Sequence, residues 1–76
     1  MPRFLEVHVR LDGNLLRKFQ NGPVDEFGII YLNILYNPEV EQYFCLIEAP
    51  TMEAVQKHHD KFRIKCDWII ELKTTP

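Results

Sequence analysis

Residues 29–48, IIYLNILYNPEVEQYFCLIE, decide the fold, because they hold two apolar stretches separated by one short turn. In the first stretch Ile30, Leu32 and Ile34 alternate with Ile29, Tyr31, Asn33 and Leu35, the two-residue period of a strand. Asn37-Pro38 ends it, since proline has no N–H to give to a ladder. From Gln42 to Glu48 the alternation resumes, with Phe44 and Leu46 opposite Tyr43, Cys45 and Ile47. Two strands so closely joined pair as an antiparallel hairpin. The first of them has few polar positions, which predicts cover on both faces.

Working outward, Arg3–Arg10 also alternates, with Leu5, Val7 and Val9 on one side and Phe4, Glu6 and His8 on the other. Between that strand and the hairpin, Asp12-Gly13 turns the chain and Asn14 offers a helix cap. Leu15, Leu16 and Phe19 then follow at helical spacing until Asn21-Gly22-Pro23 stops them. Beyond the hairpin, Pro50-Thr51 opens a second helix, with Glu53 near its positive end and Lys61 and Arg63 near its negative end. Its inward stripe is Val55, His58 or His59, and Phe62. Neighbouring residues project about 100° apart, so one histidine at most faces the sheet squarely, and the spacing favours His59. Asp67–Lys73 reads as a fourth strand, with Trp68, Ile70 and Leu72 on one side and Ile69 on the other, and Thr74-Thr75-Pro76 as a fraying tail.

The order β-α-β-β-α-β, with right-handed crossovers around a central hairpin, predicts a single α+β domain over 1–76. Its architecture is the ferredoxin-like sandwich: a four-stranded antiparallel sheet in spatial order 4-1-3-2 with both helices on one face. Leu5, Val7, Val9, Ile30, Leu32, Ile34, Phe44, Leu46, Trp68, Ile70 and Leu72 are expected beneath the helices. Phe4, Glu6, His8, Ile29, Tyr31, Asn33, Leu35, Tyr43, Cys45, Ile47 and Ile69 are left on the open face, which is too apolar for water. A second copy packed sheet to sheet is the simplest cover, so a homodimer is expected.

Composition narrows the function. With 46% hydrophobic residues in 76 the chain is not disordered, and 9 − 11 = −2 gives no positive field for a phosphate backbone. Tyr43 and Phe44 point to opposite faces beside Glu41 and Glu48, which argues against RNA stacking on that strand. No apolar stretch approaches the ~20 residues that cross a bilayer, and the first residues do not read as a leader, so a cytoplasmic protein without membrane contact is expected. Strand one separates Cys45 from Cys66 by roughly 9.6 Å, too far for a disulfide, and both read as thiols. Serine is absent and the three glycines are scattered, leaving no activated nucleophile and no phosphate loop.

What remains is a face that mixes His8, Cys45, Glu6 and Tyr31 among apolar groups, the composition of a ligand pocket or a transition-metal site. Imidazole with thiolate suits nickel, copper, cobalt or zinc; as plain packing, His8 and Cys45 would do nothing further. Strand one ends where the second helix ends and strand four begins, which gathers His8, His59 and Cys66 at one end of the domain. Alternation puts His8 on the side away from that helix, so a shared site with His59 needs a bulge, an edge or a partner subunit. Two other functions fit the composition. One is a sensory module holding a small organic ligand among Phe4, Tyr31, Tyr43 and Ile47; the other is a cofactor-independent dimeric-barrel enzyme with His8 as general base.

Residues 1–8, MPRFLEVH, and 43–50, YFCLIEAP, followed by Glu53-Ala54-Val55 and His59, resemble a family of small proteins that contains a bacterial nickel-binding protein. Members of that family also occur as an N-terminal module of cyclases. The resemblance spans nearly the whole chain and implies a ferredoxin-like fold, sheet-mediated dimers resembling an α/β barrel and, for at least one branch, nickel binding. The metal ligands it implies here are His8, His59, Cys45 and Glu48. Two positions depart from the family pattern: the first helix lacks a histidine, and Arg63 stands where a second helical histidine is common.

Overall fold

The computed structural model describes residues 1–9 and 11–73; Arg10, expected to close strand one, and the Thr74–Pro76 tail lie outside the described residues. The chain runs β1 (Arg3–Val9), α1 (Gly13–Asn21), β2 (Ile30–Asn37), β3 (Gln42–Glu48), α2 (Met52–Phe62) and β4 (Trp68–Leu72). The sheet order is β2-β3-β1-β4 and every neighbouring pair is antiparallel. This is the ferredoxin-like α+β sandwich expected from the hairpin and its flanks.

In β1, β3, β4 and the start of β2 the faces of the sheet are the reverse of the expectation, whereas past a bulge in β2 Ile34 and Leu35 keep the sides expected of them. Across the β1–β3 ladder Phe4 stands opposite Ile47, Glu6 opposite Cys45 and His8 opposite Tyr43. Phe4, Cys45 and Ile47 join Leu16 of α1 and Val55 of α2 in the buried core, so this is the face that the helices cover. Trp68, Ile70 and Leu72, by contrast, are exposed. Because both sides of these strands are apolar, alternation fixes which residues share a face without saying which face meets the helices. Glu6 and His8 find polar partners on the helix side, Glu6 at His59 of α2 and His8 at the Lys65 carbonyl just beyond it. Val7 remains buried on the open side because Phe44 and Trp68 flank it in register.

A bulge shifts the parity within β2. The register passes from Tyr31↔Ile47 directly to Asn33↔Leu46, leaving Leu32 as the extra residue. Tyr31 and Ile34 therefore both face the helices, although three residues apart, and both pack on the core.

Local signals set the helix ends. The Asp12 carboxylate, rather than Asn14, caps α1 by accepting the Asn14 N–H at 2.9 Å. Gly13 leaves room for Tyr43: a Cβ there would lie 2.4 Å from the tyrosine hydroxyl oxygen, and the ring would have to shift. Thr51 caps α2 by accepting the Ala54 N–H at 3.0 Å. Arg63 ends α2 in the left-handed conformation, φ 54° and ψ 41°, with the next N–H, from Ile64, returning to the His59 carbonyl at 2.9 Å. No helix among the described residues is long and apolar enough to cross a membrane.

Candidate metal centre

Glu6 and His8 lie two residues apart on β1 and so point to the same side, beneath the last turn of α2. His59 descends onto them from that turn, and Cys66 approaches from the segment that leads into β4. The four residues each offer one donor atom, and these atoms all lie within 4.8 Å of one another. His8 and His59 meet edge to face, with ring centroids 5.3 Å apart. The shared His8–His59 site thus forms within one chain, with neither a bulge in β1 nor a partner subunit.

Three of the four donors are buried, Cys66 is half-buried, and all four converge. Glu6 and His8 have no exposed surface and His59 very little. His59 Nε2 lies 2.6 Å from Glu6 Oε2, and His8 Nε2 lies 3.4 Å from Glu6 Oε1. Both are close approaches of an imidazole to the carboxylate, yet neither carboxylate oxygen and neither Nε2 has a partner in hydrogen-bond geometry. Four polar atoms left this way in a protein interior are costly unless something satisfies them together. The other nitrogen of His8 is occupied: Nδ1–H donates to the Lys65 carbonyl at 3.0 Å. In a neutral imidazole that contact places the lone pair on Nε2, aimed at the cluster, which is how metal-binding histidines are commonly oriented.

Titration follows from the same contacts. Burial alone would raise the Glu6 carboxyl, but the charge and contact of His59 and His8 outweigh it and hold the group below its ordinary value. Burial would lower His8, yet Glu6 and the Lys65 carbonyl outweigh it and raise the ring. The Cys66 thiol is pushed up to about 11 by burial and by Glu6. A bound divalent cation reverses that last effect, since a coordinating thiol is deprotonated outright.

Of the residues expected as ligands, His8 and His59 are brought together and Cys45 and Glu48 are not. Cys45 is on the same face, directly across from Glu6, but is buried outside the cluster, with its thiol raised to about 12 by burial and by Glu6. Glu48 pairs with Arg3 at the far end of the ladder, five residues along β1 from His8 and therefore ~17 Å away. Glu6 and Cys66 take their places. Phe4, Tyr31 and Ile47, expected around an open cavity, fill the core beneath the helices instead, and His8 is enclosed there with them.

His58 is buried as well, contrary to the expectation that one histidine at most would turn inward. It has a separate network: the Tyr31 hydroxyl lies 2.9 Å from Nε2, and Asp25 Oδ2 lies 2.5 Å from Nδ1. Burial lowers the ring's proton affinity and Asp25 only partly restores it. Asp25 also accepts the N–H groups of Phe27 and Ile29, so one carboxylate ties the loop before β2 to α2.

Fold and site together define a ferredoxin-like domain with a buried carboxylate, two imidazoles and a thiol converging under its second helix. No family model and no curated protein matches the chain. Among solved structures, the crystal structure of SCO4226 from Streptomyces coelicolor A3(2) is similar, with a TM-score of 0.76 over 97% of this chain and 99% of that one. At 22% identity the likeness shows a common fold.

Proposed function

We propose that this protein binds a divalent transition metal ion through Glu6, His8, His59 and Cys66. The observation that carries the reading is the convergence within 4.8 Å of donor atoms from three buried residues and the half-buried Cys66, among which the Glu6 oxygens and both Nε2 atoms have no hydrogen-bond partner. One oxygen, two nitrogens and one sulfur form a borderline-soft set that fits zinc, cobalt, nickel or copper and disfavours magnesium and calcium. Nickel is placed first because the sequence resembles a family that contains a nickel-binding protein. His8 and His59 supply the nitrogens, and the Lys65 carbonyl keeps His8 in the binding tautomer.

The same reading includes a homodimer formed through the open face of the sheet, supported by the exposure of Leu35, Trp68, Ile70 and Leu72. A cytoplasmic setting suits the two free thiols. Calorimetric titration of untagged, metal-free protein with Ni2+, Zn2+, Co2+ and Cu2+ tests the metal. Binding at one ion per chain, lost in the His8→Ala His59→Ala variant and weakened in Glu6→Gln, is the expected result. No heat with any of the four ions, or equal binding by the double variant, discards the site.

A further inference from the structure

Cys66 differs from the other three donors in what carries it. Glu6 and His8 belong to β1, inside the sheet, and His59 to α2, whereas Cys66 sits in a connecting segment without regular structure of its own. That segment touches the site a second time, where the Lys65 carbonyl accepts from His8. Asp67 then donates its N–H to the Val7 carbonyl at 2.9 Å, and the Cys66 thiol lies 3.1 Å from the carbonyl of Trp68, the first residue of β4.

Beyond these contacts and its ladder with β1, β4 is held by little else. It has five residues, pairs with β1, lies at the edge of the sheet, and buries only Ile69 in part while the other four residues are exposed. An edge strand with so few buried side chains opens locally at low cost, whereas central strands open with the domain as a whole.

Resting on the metal reading above, we infer that metal capture through Cys66 clamps β4 onto the sheet, so that occupancy of the site regulates the opening of this edge strand. In the binding step the Cys66 S–H bond breaks, its proton passes to the solvent and the sulfur bonds the metal. Sγ then no longer donates to the Trp68 carbonyl. The segment loses one weak sulfur hydrogen bond and gains a link through the metal to Glu6, His8 and His59, so the tether outweighs the loss. Trp68, Ile70 and Leu72 all belong to the open face of the sheet, which a clamped β4 presents as one surface.

Hydrogen exchange of the full chain, read residue by residue by NMR without metal and with saturating Ni2+ or Zn2+, tests this, with calorimetry on the same samples. The opposite edge strand, β2, reports the stabilisation of the whole domain that any ligand of the folded state produces. β4 amides are expected to slow at least tenfold more than those of β2. Equal slowing in the two strands overturns the clamp and leaves the metal site standing, whereas no heat and no slowing anywhere overturns the site itself. Cys66→Ser keeps a donor for the Trp68 carbonyl and removes the thiolate; with metal on its three remaining ligands it should slow β2 without the excess at β4. An excess that persists in C66S refutes the inference. If C66S takes up no metal, the β4 to β2 comparison in the wild type decides.

Discussion

Replacing Glu6 with glutamine keeps the shape of the side chain and removes the only negative charge in the buried cluster. Taking one partner from a buried ion pair costs about 3–5 kcal/mol. The amide recovers one hydrogen bond to an imidazole, worth about 1 kcal/mol, so a net loss of about 2–4 kcal/mol is expected in metal-free protein. For a domain of 76 residues the whole stability is about 4–11 kcal/mol, so the change is large. With a urea slope of about 1 kcal/mol/M for so small a chain, the midpoint should fall by about 2 M or more.

The pH dependence follows with a definite sign. Glu6 is held below its ordinary 4.5 in the folded state, so its contribution is fully present above pH 4.5 and drains away as pH falls through the folded value. Glutamine does not titrate, so the acid limb of Glu6→Gln should be shallower than that of the wild type. Metal affinity should fall by about a hundredfold or more, since even outer-shell changes cost about 10–100-fold. A urea midpoint within 0.5 M of wild type (about 0.5 kcal/mol at that slope), together with an unchanged acid limb, would refute the picture of Glu6 as the charge that holds His8 and His59.

Three further outcomes are expected. Tyr31→Phe leaves His58 Nε2 buried without its partner and should cost about 1–3 kcal/mol in urea unfolding. Arg63→Gly should stabilise the chain by about 0.5–1 kcal/mol, because the left-handed cap that strains arginine is open to glycine; a lower melting temperature would contradict it. Ile70→Glu puts a charge on the exposed face of β4 and should convert a wild-type particle of twice 9.1 kDa into one of 9.1 kDa by light scattering, and a wild type that is already monomeric at every concentration excludes the dimer.

Most of the fold was legible because each of its decisions is local. The turn around Pro38 makes the hairpin, Thr51 starts α2, Asn21-Gly22 ends α1, and handedness orders the strands. The side of the sheet that meets the helices was not legible, because it depends on contacts between elements. Glu6 and His8 look like solvent-facing residues until His59 and the Lys65 carbonyl arrive above them. The site was half visible for the same reason. His8, His59 and Cys66 gather at one end of the domain by topology alone, but the reversed faces made Cys45 the natural thiol in place of Cys66. Glu48, carried over from the resemblance, was out of reach by strand register, which the sequence could have supplied once β1 and β3 were paired.

The His58-His59 pair shows how α2 serves both demands. A helix near the plane of a sheet can bury an arc wider than one residue when both flanks offer polar partners. Here Asp25 and Tyr31 receive His58 on one side, and Glu6 receives His59 on the other. His58 has both ring nitrogens engaged and therefore no lone pair to offer a ligand. His59 directs Nε2 into the cluster and is available to bind. The first network fixes the rotation of the helix from the side of the loop, and that rotation sets the reach of His59. It follows that Asp25→Ala should disturb metal affinity although Asp25 touches no donor, whereas Glu53→Ala, at an exposed pair with Lys57, should leave it alone. Equal metal affinities in these two variants would show that His59 keeps its place without help from its neighbour.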